Sequence, residues 1–266
     1  MPDTLSDIRN GTHLALQSVH THYMIDFDSP FHLFAESQES EFIPLITEED
    51  EKAMHKQDVP DNIPLLSLRN TVLFPGVVIP ITVGRDRSIN LIKEANKHKT
   101  TIGVVSQKDG DTEEPSGDDL NRVGTVARII KMLRMPDGTN TVILQGQRRF
   151  SWDKIVQETP YLKASVTAFG GREDLPNNKS TQALIESLKE LAIEIIEMSP
   201  TIPSEAAGAI KNIERLSFLV NFIGSNMNAS VKAKQELLEI EGLEERANKV
   251  LQMLNKEKQI LELKND

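Results

Sequence analysis

Val123-Gly124-Thr125-Val126-Ala127-Arg128-Ile129-Ile130-Lys131-Met132-Leu133-Arg134-Met135, followed by Pro136-Asp137-Gly138-Thr139 and then by Thr141-Val142-Ile143-Leu144-Gln145-Gly146-Gln147-Arg148-Arg149-Phe150, decides the fold class. Two runs rich in β-branched residues flank an Asp-Gly pair, and glycine takes the backbone conformation that a tight hairpin turn needs. A long β-hairpin is therefore expected here. Working back toward the N-terminus, Ile63–Leu68, Val77–Val83 and Thr101–Ser106 read as short strands. Pro64 and Pro80 restrict theirs to strand starts, edges or bulges. Phe74-Pro75-Gly76 reads as a turn, because proline fixes φ and glycine accepts a left-handed residue. Between the strands, Arg85–Lys99 carries Ile89, Leu91, Ile92 and Ala95 at helical spacing. Working forward, Leu162–Phe169 is one more strand, closed by Gly170-Gly171.

Past Pro176 the period changes. Leu184, Leu188, Leu191, Ile195 and Met198 recur three to four apart and stop before Pro200, so Thr181–Met198 is expected to be a helix. Glu205–Met227 is expected to be a second, with Ile210, Ile213, Leu216, Leu219, Val220 and Ile223 on one side. From Val231 onward Ile240, Ala247, Leu254 and Leu261 recur every seven residues, with Leu243 and Val250 between them. That is the seam of a coiled coil or of a long bundle helix. Lys264-Asn265-Asp266 carries no glycine or proline stop, so this helix is expected to run on past the last residue given.

The expected class is α+β: a β-rich lobe over 63–171, a helical bundle over 178–230 and a long helix over 231–266. Residues 1–62 are expected to be an acidic, poorly ordered leader. They hold 13 acidic against 3 basic side chains, whereas 63–266 hold 27 of each, so the net charge of −10 lies wholly in the leader. Five of the six histidines are also there, and His20 and His22 have the spacing of a metal pair, but two ligands without a third are usually chance.

Composition excludes several chemistries. The 266 residues include no cysteine, which removes disulfides, thiolate nucleophiles and cysteine-bound metals. No apolar run approaches the roughly 18–20 residues that span a bilayer, and no signal peptide opens the chain, so a cytoplasmic protein away from membranes is expected. There is no Gly-x4-Gly-Lys phosphate loop, no Gly-x-Ser-x-Gly and no His-Glu-x-x-His, and from Ile63 onward the sole histidine is His98. No catalytic residue, cofactor-binding residue or metal ligand is expected in these residues. Eight basic against three acidic residues between Arg122 and Lys163 could make a nucleic-acid face, but few aromatics interleave them, so a solvated strand face is the better reading. Trp152 is read as a packing residue whose indole N–H finds a partner.

The residues also carry a family resemblance. Ile63-Pro64-Leu65-Leu66 through Leu68-Arg69-Asn70, Phe74-Pro75-Gly76, Ile79-Pro80 and Val83-Gly84-Arg85 resemble the opening of the N-terminal domain of ATP-dependent Lon proteases. Val105–Asp109, Val123–Ala127, Leu133–Thr139, Gly146 with Arg149, and Pro160-Tyr161 resemble that domain's later strands. Lys234–Glu239 with Glu244-Glu245-Arg246 is similar to the helical segment that leads into the ATPase. Asn70 stands where the family commonly has an acidic residue.

The resemblance implies a PUA-like β lobe followed by helices. It implies a parent chain with an ATPase module using ATP and Mg, a protease module with a Ser–Lys dyad and a hexameric ring, none of which lies in these residues. It further implies a recognition role toward unfolded or degron-bearing protein substrates. Such a role suits a shallow apolar patch of weak affinity, strengthened by repetition around a ring. Leu73 and Phe74 at the first turn, with Met132, Leu133 and Met135 near the hairpin tip, are the candidate patch; core packing of most of them is the weightier competing reading. A free-standing adaptor or ligand-binding module of the same fold is the alternative function, and a coiled-coil scaffold acting through 236–266 is a third.

Overall fold

A computed structural model describes Met54 and residues 59–265, apart from 136–137, 172, 201 and 203. The expected hairpin is the longest β element. Strand β4 (Val123–Arg134) runs antiparallel to β5 (Asn140–Gln157), and Gly138 at the turn has φ of 88°. Strands β1 (Asn62–Leu68), β2 (Val78–Val83), β3 (Ile102–Ser106) and β6 (Lys163–Ala168) complete a six-stranded sheet in the order β2-β5-β4-β3-β1-β6. Only β1 and β3 run parallel. Helix α1 (Asp86–His98) precedes β3 and buries Leu91, Ile92 and Ala95, as its spacing requires.

The length of β5 closes the sheet. Its first half lies between β2 and β4, and its second half, from Phe150 to Gln157, pairs with β6, which also pairs with β1. Closure leaves few free edges. One small core, with Ile63, Leu65, Val105, Phe150 and Trp152, fills the part bounded by β1, β3, β5 and β6. The Trp152 indole donates to the Asn121 carbonyl at 2.8 Å, and Arg122 lies 3.8 Å above its ring.

Helix α2 (Lys179–Met198) starts at Asn178, whose side chain accepts from the Thr181 amide and so satisfies one of the exposed N–H groups at the helix start. The two further helices expected from periodicity are each broken in two. Glu205–Met227 divides into α3 (Glu205–Asn212) and α4 (Leu216–Asn226), separated by extended residues at Ile213 and Arg215. The break lets α4 pass through the interior, where every residue from Leu216 to Ser225 is buried. Val231–Asp266 divides into α5 (Val231–Glu239) and α6 (Leu243–Asn265), so Ile240 is not a seam residue but an extended one in the connection. Leu243, Ala247, Val250 and Leu254 of the seam are buried, and α6 packs along α2. The seam is thus occupied within the chain. A larger core runs without interruption from β2, β3 and α1 through to α6. No described helix is long and apolar enough to cross a membrane. The leader's His20 and His22 lie outside the described residues.

Candidate functional site

The five candidate patch residues separate into two places. Leu73 and Phe74 are in the core, 2% and 0% exposed, so the expectation of a client-facing first turn is corrected. The loop that carries them is wedged between β5 and α4. The Leu73 carbonyl accepts from the Thr125 hydroxyl at 2.6 Å, and the Pro75 carbonyl accepts from the Asn221 amide side chain at 3.2 Å. Gly76 N–H donates to the Gly146 carbonyl at 2.9 Å, and Gly146 N–H donates to the Val77 carbonyl at 2.9 Å. The Phe74 ring sits close to Gly224 of α4. A turn-borne aromatic therefore pins the sheet to the helices.

Met132, Leu133 and Met135 lie at the far end of the hairpin. Met132 is half-buried against the main core, opposite Val142, while Leu133 and Met135 are half-buried without joining either core. The bonds from Met135 N–H to the Thr139 carbonyl and from Gly138 N–H to the Met135 carbonyl, both 2.9 Å, close the turn. Beside them Ile130 is 48% exposed, a residue that the sequence reasoning did not single out. A β-bulge explains it: Ile129 pairs with Leu144 and Lys131 with Ile143, which leaves Ile130 as the extra residue. The consecutive Ile129-Ile130, which breaks strand alternation, is the signal that could have found it.

Cations border this apolar end. Arg128, Lys131 and Arg134 are exposed, with Arg128 donating to the Gln145 side chain at 2.8 Å. From Val123 to Trp152 the sequence contains one acidic residue, Asp137. This end of the hairpin is thus both apolar and basic.

A second constellation is buried. Arg149 of β5 and Arg246 of α6 are 2% and 1% exposed, and both bond to Glu173 in the link after β6. Arg149 also donates to the carbonyls of Leu238, Ile240 and Glu241 at 2.8, 2.6 and 3.1 Å, and Arg246 donates to that of Ile240 at 3.0 Å. The open end of α5 is thereby satisfied by guanidinium groups. Burial pulls the Arg246 guanidinium below its ordinary value, against the opposing effect of Glu173. Gly170, at φ 91°, lies flat against the Arg149 guanidinium where a Cβ would collide with it. A polar bridge of the same kind joins β3 and β4 to α5: buried Gln235 accepts from the Ser106 hydroxyl at 2.7 Å and donates to the Val123 carbonyl at 3.0 Å. Each of these side chains has partners within the protein, the Nε atoms of Arg149 and Arg246 alone being buried without one, and together they read as a structural joint. Among the described residues no group of three or more His, Asp or Glu side chains could hold a metal.

Comparison with known proteins matches residues 62–256 to the family described as the ATP-dependent protease La (LON) substrate-binding domain. A Lon protease of Flavobacterium johnsoniae is 56% identical over 228 residues, covering 86% of this chain and 28% of that protein. One of Cytophaga hutchinsonii is 47% identical over 226 residues, covering 85% and 28%. The chain thus spans about 28% of the length of these relatives. The N-terminal domain of a Mycobacterium avium complex Lon protease superposes with a TM-score of 0.59 at 18% identity, over 73% of this chain and 98% of that one. That likeness shows a shared α+β fold.

Proposed function

The chain belongs to the Lon protease family through its substrate-binding domain, and from that premise we propose that it recognises clients for an ATP-dependent serine protease and does so with the apolar tip of the β4–β5 hairpin. The observation that carries the reading is the placement of Ile130, Leu133 and Met135 at the turn end of the β4–β5 hairpin, outside both cores. Misfolded and degron-bearing proteins share exposed apolar segments, and a small surface patch with an adaptable methionine binds many such segments weakly. Assembly of the parent as a hexameric ring would place several tips around one client and raise their effective concentration. ATP, Mg and the catalytic dyad belong in this reading to the parent's other modules, and its place is the cytoplasm. The free-standing adaptor has no observation in its favour.

The test is binding of a reduced, alkylated globular protein to the 266-residue chain and to its Leu133→Ser/Met135→Ser variant. Loss of two apolar contacts of about 1 kcal/mol each should weaken affinity by roughly tenfold or more, with the melting temperature nearly unchanged because neither side chain is in a core. Val156→Ser, at an apolar residue 47% exposed on another part of β5, should leave affinity as it was. Equal affinity of the double variant and the parent sequence would sink the assignment.

A further inference from the structure

The hairpin offers backbone as well as side chains. β3 pairs with β4 only at Thr125, Val126 and Ala127, opposite Val104, Gly103 and Ile102. From Arg128 to Arg134 β4 continues alongside β5 alone. Among the described residues no backbone hydrogen bond from a turn or loop reaches this segment from its other side. Seven residues of strand, about 23 Å at roughly 3.3 Å per residue, therefore present free N–H and C=O groups, in regular alternation from Lys131 to Arg134 beyond the bulge at Ile130. β2, which pairs with β5 alone, is another free edge, and it carries Pro80, which has no N–H to donate and blocks an added ladder there.

Resting on the reading of the hairpin as the client site, we propose that the Arg128–Arg134 edge of β4 takes up the client as an added β-strand, an extended apolar segment that includes acidic side chains. Main-chain bonding of this kind is indifferent to client sequence, whereas the alternate side chains find the apolar tip. An unfolded segment is the partner that has unpaired backbone to give. Charge selects the occupant: Arg128, Lys131 and Arg134 along the edge, with no acidic residue from Val123 to Met135, attract carboxylates. A second copy of the same edge would set these cations against each other, and like charges across a strand pair are destabilising.

The experiment uses the 266-residue chain and a blocked decapeptide of alternating leucine and threonine with a glutamate at each end. Three forms are compared: unmodified, and N-methylated at alternate amides in either of the two registers. Strand addition predicts that one methylated register binds at least tenfold more weakly than the other, because only one edge of the peptide faces β4. It also predicts that alternate amides within 128–134 exchange hydrogen at least tenfold more slowly when the unmodified peptide is saturating. Two registers of equal affinity, with no new amide protection, would overturn strand addition. If Leu133→Ser/Met135→Ser still weakens the unmodified peptide in that case, the side-chain reading of the tip survives. If that variant binds the unmodified peptide as the parent sequence does, the tip reading and strand addition fail together.

Discussion

Gly146 shows how a single missing atom holds the two halves of the molecule in register. Its N–H and C=O bond to Val77 and Gly76, and a Cβ at this position would run into the Phe74 carbonyl oxygen. Backbone cannot yield as the end of a flexible side chain can, so the close approach of β5 to the Phe74 loop requires glycine. Gly84 has nothing within 4 Å of an added Cβ. Gly146→Ala is therefore expected to lower unfolding free energy by about 2 kcal/mol or more, and Gly84→Ala to change it by less than about 0.5 kcal/mol, in urea titrations. At this scale the sequence is least legible. Phe74 beside Pro75-Gly76 has the local signature of a surface turn; its burial follows from Asn221 and Gly224, which stand nearly 150 residues further on. Leu133 and Met135, by contrast, could be placed at a hairpin end from the Asp137-Gly138 pair alone.

Elements whose causes are local were legible. The hairpin, α1 and the end of α2 each follow from turn chemistry or apolar spacing within their own residues, and the structure has them at those places. The two helix breaks were not. Apolar period alone runs straight through 213–215 and 240–242, and it is the Arg149 and Arg246 side chains, binding the Ile240 carbonyl, that stabilise the second interruption from elsewhere in the chain. What α5 and α6 then bury between them is partly ionic. Lys234 of α5 donates to the Ser225 carbonyl at 2.7 Å. Burial pulls its ammonium down to about 8, opposed by Glu257 of α6. Burial pushes the Glu257 carboxyl up, opposed by the Asn228 backbone and Lys234. With the folded-state value of Lys234 below the ordinary 10.5, the unfolded chain holds the proton more tightly between pH 8 and 10.5. Stability from this group therefore rises with pH across that window. Lys234→Met should flatten that rise when unfolding free energy is followed by urea titration from pH 7 to pH 10; an equal slope in both proteins would place the Lys234 ammonium in solvent.

At the scale of the whole molecule the question is whether sheet and helices unfold as one. The larger core is continuous across them, and Arg149, Glu173 and Arg246 tie β5, the link after β6 and the root of α6 at a single buried point. Two guanidinium groups share one carboxylate there, so the cluster carries an excess positive charge that the carbonyls of Leu238, Ile240 and Glu241 offset. Such an arrangement need not exceed an apolar packing in stability, but it is costly to leave incomplete. Glu173→Ala strands two cations that are 2% and 1% exposed and should cost about 3–5 kcal/mol. Glu114→Ala, which breaks the exposed Arg87 pair at 3.6 Å, should cost less than about 1 kcal/mol. Calorimetry distinguishes the role of the joint from its strength. If the cluster couples the two halves, the unsubstituted 266-residue chain melts in one transition and Glu173→Ala in two, with the helical part, whose Arg246 has lost the carboxylate it shares with Arg149 of β5, unfolding first. A Glu173→Ala variant that melts in one transition at a lower temperature would mean that the Phe74 loop and the continuous apolar core suffice to couple the halves, and that the ion cluster fixes only the angle at which α6 leaves the sheet.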